Sequence, residues 1–501
     1  MVSGIHDSGK VSLKTPAGKN LNNFSPESDI PGEDMAPTKD YDIIIIGSGT
    51  AGAAAATTAI HLGKSRVVMV ERGPLWGTCV NWGCIPSKFL LAAAEKVHEK
   101  ILCNQGGMIP ANPDLAGILE RKYALIEKLR RKKYQYIVEI LGVEIVRGEA
   151  SFLSPGELKV GDEVMTAPRF IIATGSSAAF PRLEGIETVS PMTNVEALEP
   201  ETIPESLIII GGRALGLEFA QLYAHLGTKV TLLQRSSRIV PEEEPEISAL
   251  MLRYLVAEGI DIRTGVDLKK VSKNGDRIIV SAQIGGKPFD FSAERILFAT
   301  GRSPNTRELH LERAGVQTGK DGAVLVDETL QTSTPGIYAA GDVIGEPQLE
   351  TNAKYGGSIA AENALGNRRI TFDRSRLPHA VFTNPQIASV GLTEENARRD
   401  GLQVVTRCTR MNVLARPEIM GDSRGMVKIV AEKGSWRILG MHICSPFAAE
   451  ILQAGVLAVH HRLTVQDLID ATYIFPTLTE VLWVCARAFR REDVGNCPGK
   501  M

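Results

Sequence analysis

Residues Gly77 to Lys88 read GTCVNWGCIPSK, and the rest of the chain is arranged around the two cysteines in that stretch, Cys79 and Cys84. Phe89, Leu90, Leu91 and three alanines follow, most of them strong helix formers. The pattern predicts Cys84 in or beside a first helical turn, with Cys79 just before it. A helix N-terminus presents unpaired N–H groups and positive dipole charge, which favour a thiolate over a thiol. Cysteines also serve as small buried hydrophobes, so the chemistry expected of this pair depends on what surrounds it.

A chain of 501 residues exceeds what one hydrophobic core holds, and two to four domains are expected. A net charge of −2 gives no electrostatic reason to expect nucleic acid or an anionic membrane as partner. The apolar runs, such as Ile43 to Ile46 and Leu207 to Ile210, are strand length, far short of the roughly 20 residues that span a bilayer. No N-terminal stretch has the pattern of an export signal. Seven cysteines in so long a chain do not make a disulfide scaffold, which predicts a cytoplasmic protein in which a disulfide is catalytic rather than structural. Residues 1–39 are rich in Ser, Gly, Pro, Asn, Lys and Asp, contain no cysteine, and read as a disordered tail; Met35 leaves an internal start open.

From Tyr41 the sequence YDIIIIGSGTAGAAAATTAIHLGKSRVVMVERG gives a buried strand, a glycine-rich turn, a helix and a second strand ending in Glu71. Gly47, Gly49 and Gly52 complete G-x-G-x-x-G between strand and helix, the arrangement that places a pyrophosphate at a helix N-terminus. Glu71, 24 residues after Gly47, is placed to accept hydrogen bonds from a ribose diol. The pattern recurs 164 residues on, with Gly211 and Gly216 in SLIIIGGRALGLEFAQLYAHLGTKVTLLQRSSRI. Two such units imply two different dinucleotides. In the second, the middle glycine is Arg213, so the pyrophosphate is held either less closely or with help from the guanidinium. Gln234 stands where the first unit has Glu71, with Arg235 and Arg238 after it. A neutral side chain followed by forked cations favours a 2′-phosphate, predicting NADPH over NADH.

GTCVNWGCIPSK, the first fingerprint and three later segments resemble the flavin-dependent pyridine nucleotide-disulfide oxidoreductases. The later segments are Ile171 to Ser176 with Thr174 and Gly175, Leu297 to Arg302 with Gly301, and GIYAAGD with Gly341 and Asp342. The resemblance covers about residues 40–490. It implies an α/β fold of two Rossmann-like dinucleotide-binding domains, for FAD and NADPH, plus a C-terminal α+β dimerisation domain. The implied bounds are FAD-binding 40–185 and 316–376, NAD(P)-binding 186–315, and interface with tail 377–501. It also implies a homodimer in which the C-terminal segment of one subunit completes the other's site, an Asp342 carboxylate on the flavin's ribityl chain, and Thr78 and Arg302 among the cofactor-binding residues. Cys84 is then the cysteine beside the flavin and Cys79 the exchange thiol facing substrate. Lys88, one turn past Cys84, reaches toward the flavin and pairs with Glu218.

Disulfide reductases of this family carry H-P-x-x-x-E near the C-terminus, whereas here the frame reads Phe475-Pro476-Thr477-Leu478-Thr479-Glu480. Phenylalanine cannot carry a proton for the exchange thiol. Mercuric reductases share this Phe, and residues 422–467 also resemble that branch. The expected reaction is reduction of Hg(II) or another soft metal ion held by thiolates, with Cys79 and Cys84 as transient ligands. The alternatives are a lipoamide-type or other disulfide oxidoreductase with another proton donor, and a non-enzymatic redox-sensing flavoprotein. Two features depart from the mercuric branch: Thr477 replaces its tyrosine, and the tail GNCPGKM holds one cysteine, Cys497, where that branch has a vicinal pair. Cys497 is either a relay ligand or an incidental thiol. His460 and His461 read as structural, and Cys103, Cys408, Cys444 and Cys485 as core or surface thiols.

Overall fold

Four consecutive isoleucines, Ile43–Ile46, form the middle strand of a five-stranded parallel sheet. A strand covered on both faces needs an unbroken apolar run rather than an alternating one, and Ile43, Ile44 and Ile45 are fully buried. In the computed structural model, which describes residues 39–103, 114–366 and 368–490, with the side chains of 100–103 excepted, this sheet has the order Ile337–Ala339, Phe170–Ile172, Ile43–Ile46, Val67–Glu71, Glu144–Arg147. It therefore draws its outer strand from far along the chain, at the segment that ends in Gly341 and Asp342. The expected tail and Cys497 lie outside the described residues. Lys39 and Asp40, the first described residues, form a short strand parallel to Glu163–Thr166.

A second parallel sheet repeats the plan with the order Asp261–Arg263, Lys229–Leu233, Ser206–Ile210, Arg295–Phe298. Between Asp261–Arg263 and Arg295–Phe298 the chain makes an antiparallel three-stranded meander, Val266–Asn274, Arg277–Ile284 and Lys287–Ala293. The chain passes between the two parallel sheets at Ser176–Ala178 and again at Arg302–Pro304, and these short strands pair antiparallel, Arg302 opposite Ala178. Residues 379–445 form a five-stranded antiparallel sheet, with helices Ala448–His460 and Glu480–Arg487 among the elements of its core. His460 accepts its expected structural role, hydrogen-bonding the Arg376 carbonyl at 3.1 Å.

The glycines of the two fingerprints do the same thing twice. A Cβ on Gly52 would stand 1.9 Å from the Gly47 oxygen, and one on Gly216 would stand 1.8 Å from the Gly211 oxygen. Each helix therefore seats on its strand only if that residue has no side chain.

Candidate active site

A cavity of about 500 Å³ opens at the carboxyl ends of the first sheet, the place where open α/β sheets bind ligands. Gly47, Gly49, Glu71, Thr78, Cys79 and Cys84 line it together with Thr174, Gly175, Arg302, Gly341 and Asp342. The sequence-predicted residues of the first fingerprint, the cysteine stretch and the GIYAAGD segment thus meet on one wall or another of a single cavity. A Cβ on Gly49 would meet only the Gly77 Cα, at 3.8 Å, so the middle of the turn is open to a ligand. Glu71 Oε2 accepts from the Ser48 amide at 2.9 Å and its hydroxyl at 2.8 Å, and Oε1 accepts from Gly73 N at 2.7 Å. Asp342 Oδ2 accepts from the Ser176 hydroxyl at 2.6 Å, which Arg302 Nε also contacts at 2.7 Å. An open glycine turn, a helix Thr50–His61 with no side-chain cap, and two carboxylates facing the same space fit a flavin dinucleotide.

Cys84 opens helix Cys84–Cys103, and Cys79 lies just before it, in a separate six-residue helix, Gly77–Trp82. Asn81 holds this corner, donating to the carbonyls of Leu75 at 2.9 Å and Gly77 at 2.7 Å and accepting from Arg130 Nε at 2.7 Å. Both cysteines are reduced and hydrogen-bonded to each other. That bond, with help from the Lys88 ammonium and against the effect of burial, holds the Cys84 thiol below its ordinary range. The same bond, then burial and the charge of Glu350, pushes Cys79 up, while Lys133 pulls it down. The pair therefore carries its first negative charge on Cys84.

Lys88 Nζ contacts Glu218 at 2.7 and 3.0 Å, and Glu218 Oε1 also accepts from the Phe382 amide at 2.9 Å. This contact joins the cysteine helix to the second fingerprint helix, Ala214–His225. In the second unit Gln234 is buried and its Oε1 accepts from Gly212 N at 2.8 Å, the same bond that Glu71 makes with Ser48. Glutamine thus does the local work of the carboxylate without its charge. Arg235 is exposed. Arg238 is turned inward, donating to the carbonyls of Pro241 at 2.6 Å and Glu243 at 3.3 Å, so of the two expected phosphate ligands it is Arg235 whose head is left to solvent. Gly211, the uncapped helix behind it and the uncharged Gln234 fit a second dinucleotide.

Phe475 is 72% exposed, and Glu480 Oε2 accepts from the Thr477 amide at 3.0 Å. Lys133 and Glu350 were missed by sequence reasoning: both act electrostatically on Cys79, and burial pushes the Lys133 ammonium down. Lys133 lies 5.4 Å from the Trp76 ring, which meets Tyr134 in a T-shaped arrangement. Cys444 and Cys485 are buried thiols, as expected. Cys408 is disulfide-bonded, against the expectation of a free thiol. Among the described residues there is no cluster of His, Cys, Asp and Glu able to hold a metal ion, and no helix is long and apolar enough to cross a membrane.

The family model described as pyridine nucleotide-disulphide oxidoreductase matches residues 41–357, and its dimerisation-domain model matches 377–485. The chain belongs to the pyridine nucleotide-disulphide oxidoreductase family. This family uses FAD and NAD(P)H, and the fold and both sites described above agree with that. The chain is 39% identical to a mercuric reductase of Staphylococcus aureus over 464 residues, 90% of this chain and 83% of that protein. It is 36% identical to a dihydrolipoyl dehydrogenase of Thermus scotoductus, covering 91% of this chain and 99% of the other. Its structure is similar to RclA, the HOCl-induced flavoprotein disulfide reductase of Escherichia coli, with a TM-score of 0.80 and 28% identity over 89% of this chain and 99% of that one. A Cu(II) complex of RclA matches with a TM-score of 0.81 and 27% identity, covering 90% and 100%. The chain is thus a flavin-dependent oxidoreductase of this family with its dimerisation domain.

Proposed function

We propose that the protein is an NADPH-dependent flavoprotein that works as a homodimer and reduces a soft metal ion held by thiolates, Hg(II) first among them. The observation that carries this is the missing base. Where disulfide reductases of the family place a histidine, this chain has the exposed ring of Phe475, and Glu480, which would orient that histidine, accepts from a backbone amide instead. A metal ion arriving as a thiolate complex needs ligands rather than a general base, and two adjacent thiols supply them.

FAD, when bound, supplies the two-electron link between NAD(P)H and the cysteine pair. The chain's own residues do the rest. The open turn at Gly49 and the carboxylates of Glu71 and Asp342 support binding of the flavin dinucleotide in the cavity. Lys88, fixed by Glu218, keeps positive charge near Cys84 and favours its thiolate. Cys79 faces substrate and offers the second sulfur. Gln234 and the free head of Arg235 favour the 2′-phosphate of NADPH. Cys497 acts as a relay ligand from the partner's tail, so Cys497→Ala slows turnover at low metal concentration.

The test is NADPH oxidation with Hg(II) in excess thiol, beside dihydrolipoamide and glutathione disulfide. Mercury-dependent turnover that disappears in Cys79→Ser and Cys84→Ser is expected, and its absence in the intact protein overturns the proposal. A second reading, a disulfide reductase using another proton carrier, has one observation in its favour: the charges of Glu350 and Lys133 both act on Cys79. Rapid turnover of a disulfide with none on Hg(II) supports it.

A further inference from the structure

Arg213 holds, in the second glycine-rich turn, the place that Gly49 holds in the first. The backbone is alike at the two positions, extended with ψ −173° at Arg213 and ψ −169° at Gly49, each residue immediately preceding a twelve-residue helix with no side-chain cap. The difference between the turns at this point is a guanidinium. Its Nη1 lies 3.5 Å from Glu346 Oε1 and its Nε 3.6 Å from Glu242 Oε2. Glu242 belongs to the second unit, in the loop after Lys229–Leu233. Glu346 belongs to the other half of the molecule, just past the Asp342 turn that lines the flavin cavity. Arg213 is therefore strung between the two halves at the turn where a dinucleotide's phosphates meet a helix N-terminus.

Both contacts are long, and the guanidinium and the Glu346 carboxylate are 56% and 72% exposed. Ion pairs of this kind hold weakly. A pyrophosphate carries more charge than either carboxylate and offers paired oxygens to the guanidinium fork. We infer that Arg213 is a binding residue for the pyrophosphate of the nicotinamide dinucleotide, held by Glu346 and Glu242 until the ligand takes their place. The two carboxylates compete with the ligand, so they lower its affinity while keeping the arginine at the mouth of the site. This rests on the second unit being the NAD(P)H site and is independent of the substrate and of the 2′-phosphate role of Arg235.

The pyrophosphate is common to NADH and NADPH, which separates the two roles. The experiment is calorimetric titration of the oxidised, flavin-loaded protein with ADP-ribose and with ADP-ribose 2′-phosphate, neither of which exchanges electrons. Arg213→Gln should weaken both probes by the same factor, about tenfold for a lost charged hydrogen-bond pair. Glu346→Gln, at an exposed position that leaves folding intact, should tighten both by two- to threefold, roughly the effect of removing one weak competitor. Arg235→Gln should weaken only the 2′-phosphate probe; if it weakens neither, the coenzyme preference is wrong and the Arg213 assignment still stands. Unchanged binding of both probes in Arg213→Gln, or weakening confined to the phosphorylated one, overturns the assignment. A dissociation constant that stays or rises in Glu346→Gln overturns the release mechanism.

Discussion

Replacing Glu218 by leucine tests whether the contact between the cysteine helix and the second fingerprint helix is a working ion pair. The carboxylate, whose side chain is 6% exposed, accepts from Lys88 Nζ at 2.7 and 3.0 Å and from the Phe382 amide at 2.9 Å. Removing one partner of a buried pair costs about 3–5 kcal/mol. Lys88 is 33% exposed and its ammonium also lies 4.7 Å from the Phe382 ring, so the lower end applies, ~3 kcal/mol. Glu218→Gln keeps one oxygen to accept from both donors and loses the charge and the second acceptor, at about 1 kcal/mol. With about 2–4 °C per kcal/mol for domains of this size, the leucine variant should melt roughly 6–12 °C lower and the glutamine variant roughly 2–4 °C lower. The assay is thermal unfolding of the flavin-loaded dimer, followed by the fluorescence of released flavin. The deciding variant is the double one, Lys88→Met with Glu218→Leu. It should melt above Glu218→Leu alone, because it no longer leaves an ammonium without its partner. If the double variant instead falls by the sum of the two singles, the carboxylate does not serve the lysine and the reasoning fails.

His379 Nε2 lies 2.6 Å from Glu243 Oε1, and the pair gives a prediction about pH. Burial works against charge on both, but the hydrogen bond and the opposite charge outweigh it, so the His379 value is raised and the Glu243 carboxyl lowered. The raised histidine stabilises fully below its unfolded value of about 6.5 and stops doing so as pH climbs through its folded one. His379→Gln should therefore lower the melting temperature more at pH 6 than at pH 8.5; an equal loss at both would remove the charge from the account. Arg238→Ala should lower thermal stability by about 1–2 kcal/mol, since it orphans two carbonyls, and leave the NADPH-to-NADH ratio of KM unchanged; a shift in that ratio returns Arg238 to the phosphate site. Phe475→His should raise turnover on dihydrolipoamide or glutathione disulfide by about 10²-fold, the lower end of what general acid–base catalysis contributes, and no gain would mean that Glu480 cannot orient an imidazole.

The parts of the site that were legible in the sequence are those whose chemistry is set by the backbone. Gly52 and Gly216 announce themselves because a side chain at either would collide with a carbonyl two angstroms away. The same holds for Ile43–Ile46, whose unbroken apolar run admits only a strand buried on both faces. Gln234 was readable as a change of charge at a known offset, and the structure gives it the bond its counterpart Glu71 makes. What the sequence hid were side chains whose direction is decided by packing. In RRKKYQY the lysines look like one solvated face, yet Lys133 is turned toward Trp76 and Cys79 while Lys132 beside it is exposed. Arg238 looked like a ligand by composition, and its guanidinium donates to two carbonyls in the structure. Cys79 follows a left-handed turn at Trp76, which no helix-propensity argument foresees, and so sits in its own short helix.

The cysteine helix deserves to be followed past Lys88. Its Leu90 and Ala94 are buried in the same apolar cluster as Leu207, Ile209 and Leu217 of the second unit. Further along, Glu95 reaches Asn384, whose amide binds Gln221, and His98 stacks flat on His225 at 4.1 Å. By sequence this helix belongs to the flavin half, but by burial it belongs to both. The nicotinamide half cannot be excised as a freestanding module without uncovering that cluster. Nor can the two fingerprint units swing apart without uncovering that shared cluster.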